Sequence, residues 1–224
     1  MSSLFLFGVF PYLAVLVAVA GVAYRRIALR STVTTRSSQL LEGSLLHWGS
    51  VPWHLAILAI LAAHVAATVF PEAWAALLGS AARLYVLEIT GIGLAAVAVL
   101  GIALLAVRRI VLSRATSVMD WVVLASLALQ AGTGLYVAFA LRWGGAWYVR
   151  TAAPWLASLA RLSPQIDRMA ALPTVVQLHA ANAFLLVALV PLSKLVHVTS
   201  LPLAYAWRPP QVVVWRRAAR EEIR

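Results

Sequence analysis

Cysteine is missing from all 224 residues. That absence excludes disulfides, iron–sulfur clusters, thiolate zinc sites and any prosthetic group tethered through thioethers. Charge is scarce too: 11% of residues are charged and only 7 are acidic, against 63% hydrophobic, with a mean hydropathy of +0.91. A water-facing globule of this size cannot bury that much apolar surface, so the solvent of this chain is a bilayer. Internal repeats, glycine–serine linkers and low-complexity tracts are also lacking, which leaves a single domain as the simplest organisation.

What is abundant is long apolar runs. A hydrocarbon core of about 30 Å needs about 20 residues of helix. Five runs qualify: Leu4 to Tyr24, Leu46 to Phe70, Leu84 to Val107, Trp121 to Leu141 and Thr174 to Leu203. None alternates in polarity as barrel strands do, so the expected fold is an all-α membrane protein with five transmembrane helices. The start, "MSSLFLFGVFPYLAVLVAVAGVAYRR", has neither a positive n-region nor an A-x-A site and reads as a retained span.

The formal net charge is +11. Arg25, Arg26, Arg30, Arg36, Arg108, Arg109, Arg114, Arg208, Arg216, Arg217, Arg220 and Arg224 fall on one side of the runs, whereas Arg83, Arg142, Arg150, Arg161 and Arg168 fall on the other. The richer side is expected to be cytoplasmic, with the N-terminus outside and the C-terminus inside. No basic stripe with interleaved aromatics lies beyond the apolar runs, which argues against nucleic acid as a partner. The segment from Arg142 to Pro173, with Trp147, Tyr148 and Trp155, reads as one or two interfacial helices lying on the outer surface. Residues 1–206 form the expected membrane domain, and 207–224 a tail suited to docking a partner on the inside.

All five histidines, His47, His54, His64, His179 and His197, lie in or at the edge of the second and fifth spans. Intramembrane ionisable groups are expensive and mark function. One such imidazole can simply bond a neighbouring carbonyl, but four on two helices ask for a shared cause. Without cysteine, bis-histidine b-type haem is the cofactor such helices hold most naturally. On an unbroken helix, His179 and His197 would share one face about 27 Å apart, whereas His54 and His64 are separated by about 15 Å and His47 and His64 by about 25 Å. Depth favours His47 over His54; the interfacial setting of His47 and the bend expected at Pro52 favour His54, and spacing leaves the choice open. Gly91, Gly93, Gly101, Gly132 and Gly134 leave room for a macrocycle or for ordinary helix packing. Arg36 and Arg114 on the inside, and Arg83 or Arg150 outside, are candidate partners for haem propionates. They serve equally as topology markers.

Taken together, "FPYLA", "RSSQLLEG", "HLAILAILAAH", "RRIVLSRATS", "LQAGTGL" and "LHAANAFLLVALVPLSKLVHVTSLP" resemble the gamma, or cytochrome b, subunit of respiratory nitrate reductase over nearly the whole chain. The resemblance implies two non-covalent haems. Their ligands fall on His54, His64, His179 and His197, with His64 and His179 paired toward the outside and His54 and His197 toward the inside. It leaves His47 as a non-ligand. It implies oxidation of menaquinol or ubiquinol near the outer haem, with His64 and Arg83 at the quinol site and electrons passed to an iron–sulfur subunit and a molybdenum catalytic subunit in the cytoplasm. Arg83 stands where a relative has lysine, and Ala63 where it has glycine. Glu88 is a candidate quinol proton acceptor or an arginine partner. The setting implied is a bacterial or archaeal cytoplasmic membrane. The rival readings are an equivalent quinol-oxidising subunit of a reductase for sulfur compounds or heterodisulfides, and a transporter whose histidines relay protons.

Overall fold

The computed structural model describes residues 3–28, 44–112, 117–142 and 146–199. Arg36, Arg114 and the tail 207–224 lie outside the described residues. Every regular element described is helical. A π-helical turn, Phe5–Val9, leads into α1 (Phe10–Ala28); then come α2 (Ser44–Val69), α3 (Pro71–Leu78), α4 (Ala81–Val111) and α5 (Val118–Ala140). After α5 come three short helices, α6 (Ala146–Arg150), α7 (Ala152–Ala160) and α8 (Ile166–Ala170), then α9 (Thr174–Leu189) and a 3-10 segment, Lys194–Thr199.

Four helices are long and apolar enough to cross a membrane: Phe5–Ala28, Ser44–Val69, Ala81–Val111 and Val118–Ala140. Leu100, Leu58, Val19 and Phe139 stay exposed along them, as expected of side chains whose solvent is lipid.

The fifth expected span differs. α9 has 16 residues and ends at Leu189 rather than running to Leu203. Pro191 has no N–H for the helical ladder, and the chain tightens: Val190 N bonds Val187 O, Leu192 N bonds Leu189 O, and Ser193 Oγ donates back to Leu189 O at 2.8 Å. The 27 Å separation that an unbroken helix would impose on His179 and His197 therefore does not apply. Pro52, by contrast, is accommodated within α2.

The connection between α5 and α9 is also more than a surface layer. Trp155, Tyr148, Leu159 and Met169 are buried, packed on Phe7, Ala67 and Val176 from α2, α9 and the π-turn. Trp155 Nε1 donates to Phe7 O at 3.0 Å, and Tyr12 OH donates to Leu159 O at 2.9 Å. Those indole and phenol groups find backbone partners inside the fold, so this segment plugs one end of the bundle. α3, whose proline at its first turn pre-sets a helical φ, was not evident as a separate helix from hydropathy.

The long helices pack in the order α2, α4, α5, α9, α1, each against the next. Gly49 and Gly101 let α2 and α4 approach: a Cβ on Gly101 would lie 2.9 Å from Gly49 O and 3.0 Å from Trp53 Cβ. This glycine serves helix packing.

Candidate functional site

Four of the five histidines lie on α2, on α9 and on the 3-10 segment that follows it. At one end, His54 of α2 faces His197 of the 3-10 segment with ring centres 6.0 Å apart. Toward the other end lie His64 of α2, edge-on to Tyr148, and His179 of α9, held by Thr133 and Gln130 of α5. His47 is exposed and lies edge-on to Trp48, at 5.6 Å between ring centres.

Hydrogen bonding fixes which nitrogen carries the proton. His54 Nδ1 lies 2.7 Å from Ser50 O, His64 Nδ1 is 2.8 Å from Ile60 O, and His197 Nδ1 is 2.7 Å from Lys194 O. A carbonyl only accepts, so in each ring Nδ1 holds a proton, and in the neutral tautomer Nε2 then carries the lone pair. His179 reaches the same state differently. Thr133 Oγ1 gives its proton to Leu129 O at 2.6 Å and so accepts from His179 Nδ1 at 3.0 Å. Beneath this ring sits Gly134, where a Cβ would come within 3.1 Å of His179 Cε1.

An imidazole anchored through Nδ1 leaves Nε2 as its other ring nitrogen, the arrangement also found in histidines that bind metal ions. Among the described residues no group of three or more His, Cys, Asp or Glu gathers.

Around the His64 and His179 end the structure adds residues that hydropathy placed elsewhere. Tyr148 packs edge-on to His64 at 5.6 Å between ring centres, and its hydroxyl is 3.0 Å from Thr68 Oγ1. Burial pushes the Tyr148 phenol above its usual range, the Thr68 bond opposing, so it stays protonated at neutral pH. Gln130, Ser126 and Asn182 line the α5–α9 seam beside His179. Their signal in the sequence was polarity inside an apolar run.

Arg83 is engaged in fold: Nε donates to Leu77 O at 2.9 Å and Nη2 to Ala76 O at 3.2 Å, closing the C-terminus of α3. Glu88, only 9% exposed, takes the arginine-partner alternative. Arg142 Nη2 is 2.7 Å from Glu88 Oε2, and Nε is 3.1 Å from both carboxylate oxygens. The pair lies in a cleft of about 260 Å³ lined by Tyr85, Ile89, Ile92, Ala138 and Phe139. At the opposite end of α5, Asp120 holds Lys194 at 3.0 Å and Arg109 at 3.5 Å.

Residues 3–216 match the model of the family described as nitrate reductase gamma subunit. The chain belongs to that family. A gamma chain is one subunit of a multi-chain redox enzyme, and four apolar spans fit a multi-pass membrane component. The chain is 30% identical over 223 residues to the nitrate reductase gamma chain of Bacillus subtilis (strain 168), covering 97% of this chain and 99% of that one. It is 33% identical over 223 residues to the nitrate reductase-like protein NarX of Mycobacterium tuberculosis, in strain CDC 1551 / Oshkosh and in strain ATCC 25618 / H37Rv alike. There it covers 96% of this chain but only 34% of the relative. The gamma-subunit match thus accounts for nearly all of this chain and for about a third of the mycobacterial relatives.

Proposed function

We propose that this gamma-family chain is the dihaem cytochrome b subunit of a respiratory nitrate reductase, oxidising quinol near its outer face and passing electrons inward. The observation that carries the reading is that His54 of α2 faces His197 of the 3-10 segment with ring centres 6.0 Å apart, while the other two histidines fall on the same α2 and on α9. The donor set fits the group. His54 and His197 stand with ring centres 6.0 Å apart and planes at 61°, so the two imidazoles would hold one metal-bearing group between them. Gly91, Gly93 and Gly132 have no heavy atom within 4 Å of a built Cβ, so open space adjoins α4 and α5.

When bound, two b-type haems would supply one-electron redox chemistry at two depths. The chain's own residues do the rest. His64 and His179 hold the outer site, and His54 and His197 the inner one, each imidazole oriented by its Nδ1 bond. Arg36 and Arg114 are assigned to the inner propionates by charge and position in the sequence. At the quinol site, Arg83 fixes α3 through Nε and Nη2 and keeps Nη1 outside those two bonds, as a donor for a quinol oxygen. Menaquinol or ubiquinol releases its protons outside, and electrons leave toward an iron–sulfur subunit and a molybdenum catalytic subunit docked on the cytoplasmic tail, 207–224. Separating charge this way stores about 2.3 kcal/mol per electron per 100 mV of membrane potential.

Pyridine haemochrome analysis of the purified chain tests this reading, with two b-type haems per polypeptide expected. His64→Ala should leave one haem and abolish quinol-driven reduction, while His47→Ala keeps both. A dithionite-reduced spectrum without a b-type α band, or His47→Ala stripping a haem that His54→Ala spares, overturns the assignment.

A further inference from the structure

Four polar side chains form one connected path in the apolar seam between α5 and α9. Ser126 and Asn182 are buried; Ser126 Oγ donates to Asn182 Oδ1 at 2.8 Å, and Asn182 Nδ2 donates to Ser126 O at 2.9 Å. The same amide nitrogen donates to Gln130 Oε1 at 2.7 Å. Each bond sets the sense of the next. With its oxygen claimed by Ser126, Asn182 has only N–H to offer Gln130; with its own oxygen claimed in turn, Gln130 has only N–H to offer His179. The path is therefore polarised from Ser126 toward the imidazole.

The last contact is unusual. Gln130 Nε2 lies 3.1 Å from His179 Nε2 and 3.3 Å from His179 Nδ1. A donor on either in-plane lone pair would be far from the other ring nitrogen. Near-equal distances therefore place the amide over the face of the ring, as an N–H···π contact. That placement leaves Nδ1–H to Thr133 and keeps the Nε2 lone pair directed away, so the contact does not compete with a ligand bond. Nδ1 of His54, His64 and His197 faces the backbone carbonyls of Ser50, Ile60 and Lys194, whereas the side-chain amide of Gln130 contacts His179.

We propose that Gln130 is a positioning residue for the outer redox site: aimed by Asn182 and Ser126, its amide withdraws electron density from the His179 ring and raises the reduction potential there. The proposal rests on the dihaem reading. An N–H dipole with its positive end on the ring stabilises the electron-rich, reduced state, and in a low-dielectric seam that dipole is poorly screened. A higher potential at the outer site eases entry of the electron that leaves quinol. Ser126 and Asn182 act only through Gln130, because a lone glutamine in an apolar seam could turn its oxygen to the ring with the opposite effect.

The test is a redox titration of the assembled enzyme in membranes, followed at the b-type α band, with the outer haem identified as the one lost in His64→Ala. Gln130→Leu should raise the oxidised-to-reduced ratio of the outer haem about tenfold at fixed potential, a downward shift of about 59 mV for one electron. The inner haem should not move. Asn182→Ala, which frees the Gln130 amide to turn, should shift the same haem the same way by less. Two bound haems with unchanged potentials in Gln130→Leu overturn the proposal and leave the dihaem reading standing. A wild-type enzyme without haem removes both. If Gln130→Leu fails to retain the outer haem, Asn182→Ala decides, and an unshifted potential there overturns the proposal.

Discussion

At the scale of single residues, two positions carry more constraint than their residue types announce. Arg142 follows the C-cap of α5 with φ of 50°, in the left-handed region that helices usually end on with glycine. A side chain tolerates that backbone only when something else over-determines it, and here the guanidinium grips both oxygens of buried Glu88. Hydrogen bonding to Glu88 first, and its charge second, hold the Arg142 guanidinium above its usual range, so it stays charged at any working pH. Arg142→Gln should therefore lower the Tm in detergent by abandoning a buried carboxylate, and adding Glu88→Gln should recover most of the loss. A double variant no more stable than the single one would show that the pair contributes little. Gly21 is the second case. A Cβ there would sit 2.6 Å from Pro191 Cβ, so α1 can press on the end of α9 only through glycine. Gly21→Ala should cost about 1–3 kcal/mol by overpacking, read as a lower thermal midpoint.

At the scale of elements, the turn after α9 decides where His197 stands. Four ties hold it: Pro191 against Gly21, Arg25 Nη1 on Ser193 O at 3.3 Å, Arg26 on Thr199 O, and Lys194 on Asp120. Asp120 also closes the first turn of α5, where Ser117 Oγ accepts from Asp120 N and Asp120 Oδ2 accepts from Ser117 N. Ser117→Ala should then cost about 1 kcal/mol of cap stability and no more. Asp120→Ala loses the cap and the Lys194 tie together, and should destabilise more than Ser117→Ala while weakening haem retention at the His54–His197 end. Equal melting points for the two variants would show that the Lys194 tie is idle. The apolar runs made four long helices legible, because length and hydropathy are local properties. The break at Pro191 was hidden by continued apolarity on both sides of it, and the burial of Trp155 and Tyr148 by the fact that an interfacial reading of aromatics does not show what they pack against. Histidine spacing pointed to α2 and α9 but could not choose between His47 and His54, since the arithmetic assumed a straight helix that Pro191 interrupts. Gln130, Thr133 and Asn182 lie on two helices far apart in the chain, and no local pattern joins them.

At the scale of the whole molecule, the arc α2, α4, α5, α9, α1 places two unlike ends on the bundle. One is closed by α6, α7 and α8, whose buried aromatics pack over the His64 and His179 end. The other carries Arg25, Arg26, Arg109 and Lys194 around the turn that bears His197. If cations set orientation, the second end faces the cytoplasm and the plugged end faces out. This direction is what makes the proposed function store energy, since quinol protons must leave on the side opposite to nitrate reduction. The lack of native cysteine makes it directly measurable. Leu162, 79% exposed beside the plug, and Val118, 82% exposed at the start of α5, are single positions where cysteine costs little packing. In intact cells stripped of their outer layers, a membrane-impermeant maleimide should label Leu162→Cys and not Val118→Cys. In inverted vesicles the two should exchange behaviour. The opposite pattern would leave the fold untouched but turn the electron path around, and a subunit oriented that way could not deliver quinol electrons to a cytoplasmic reductase while releasing protons outside.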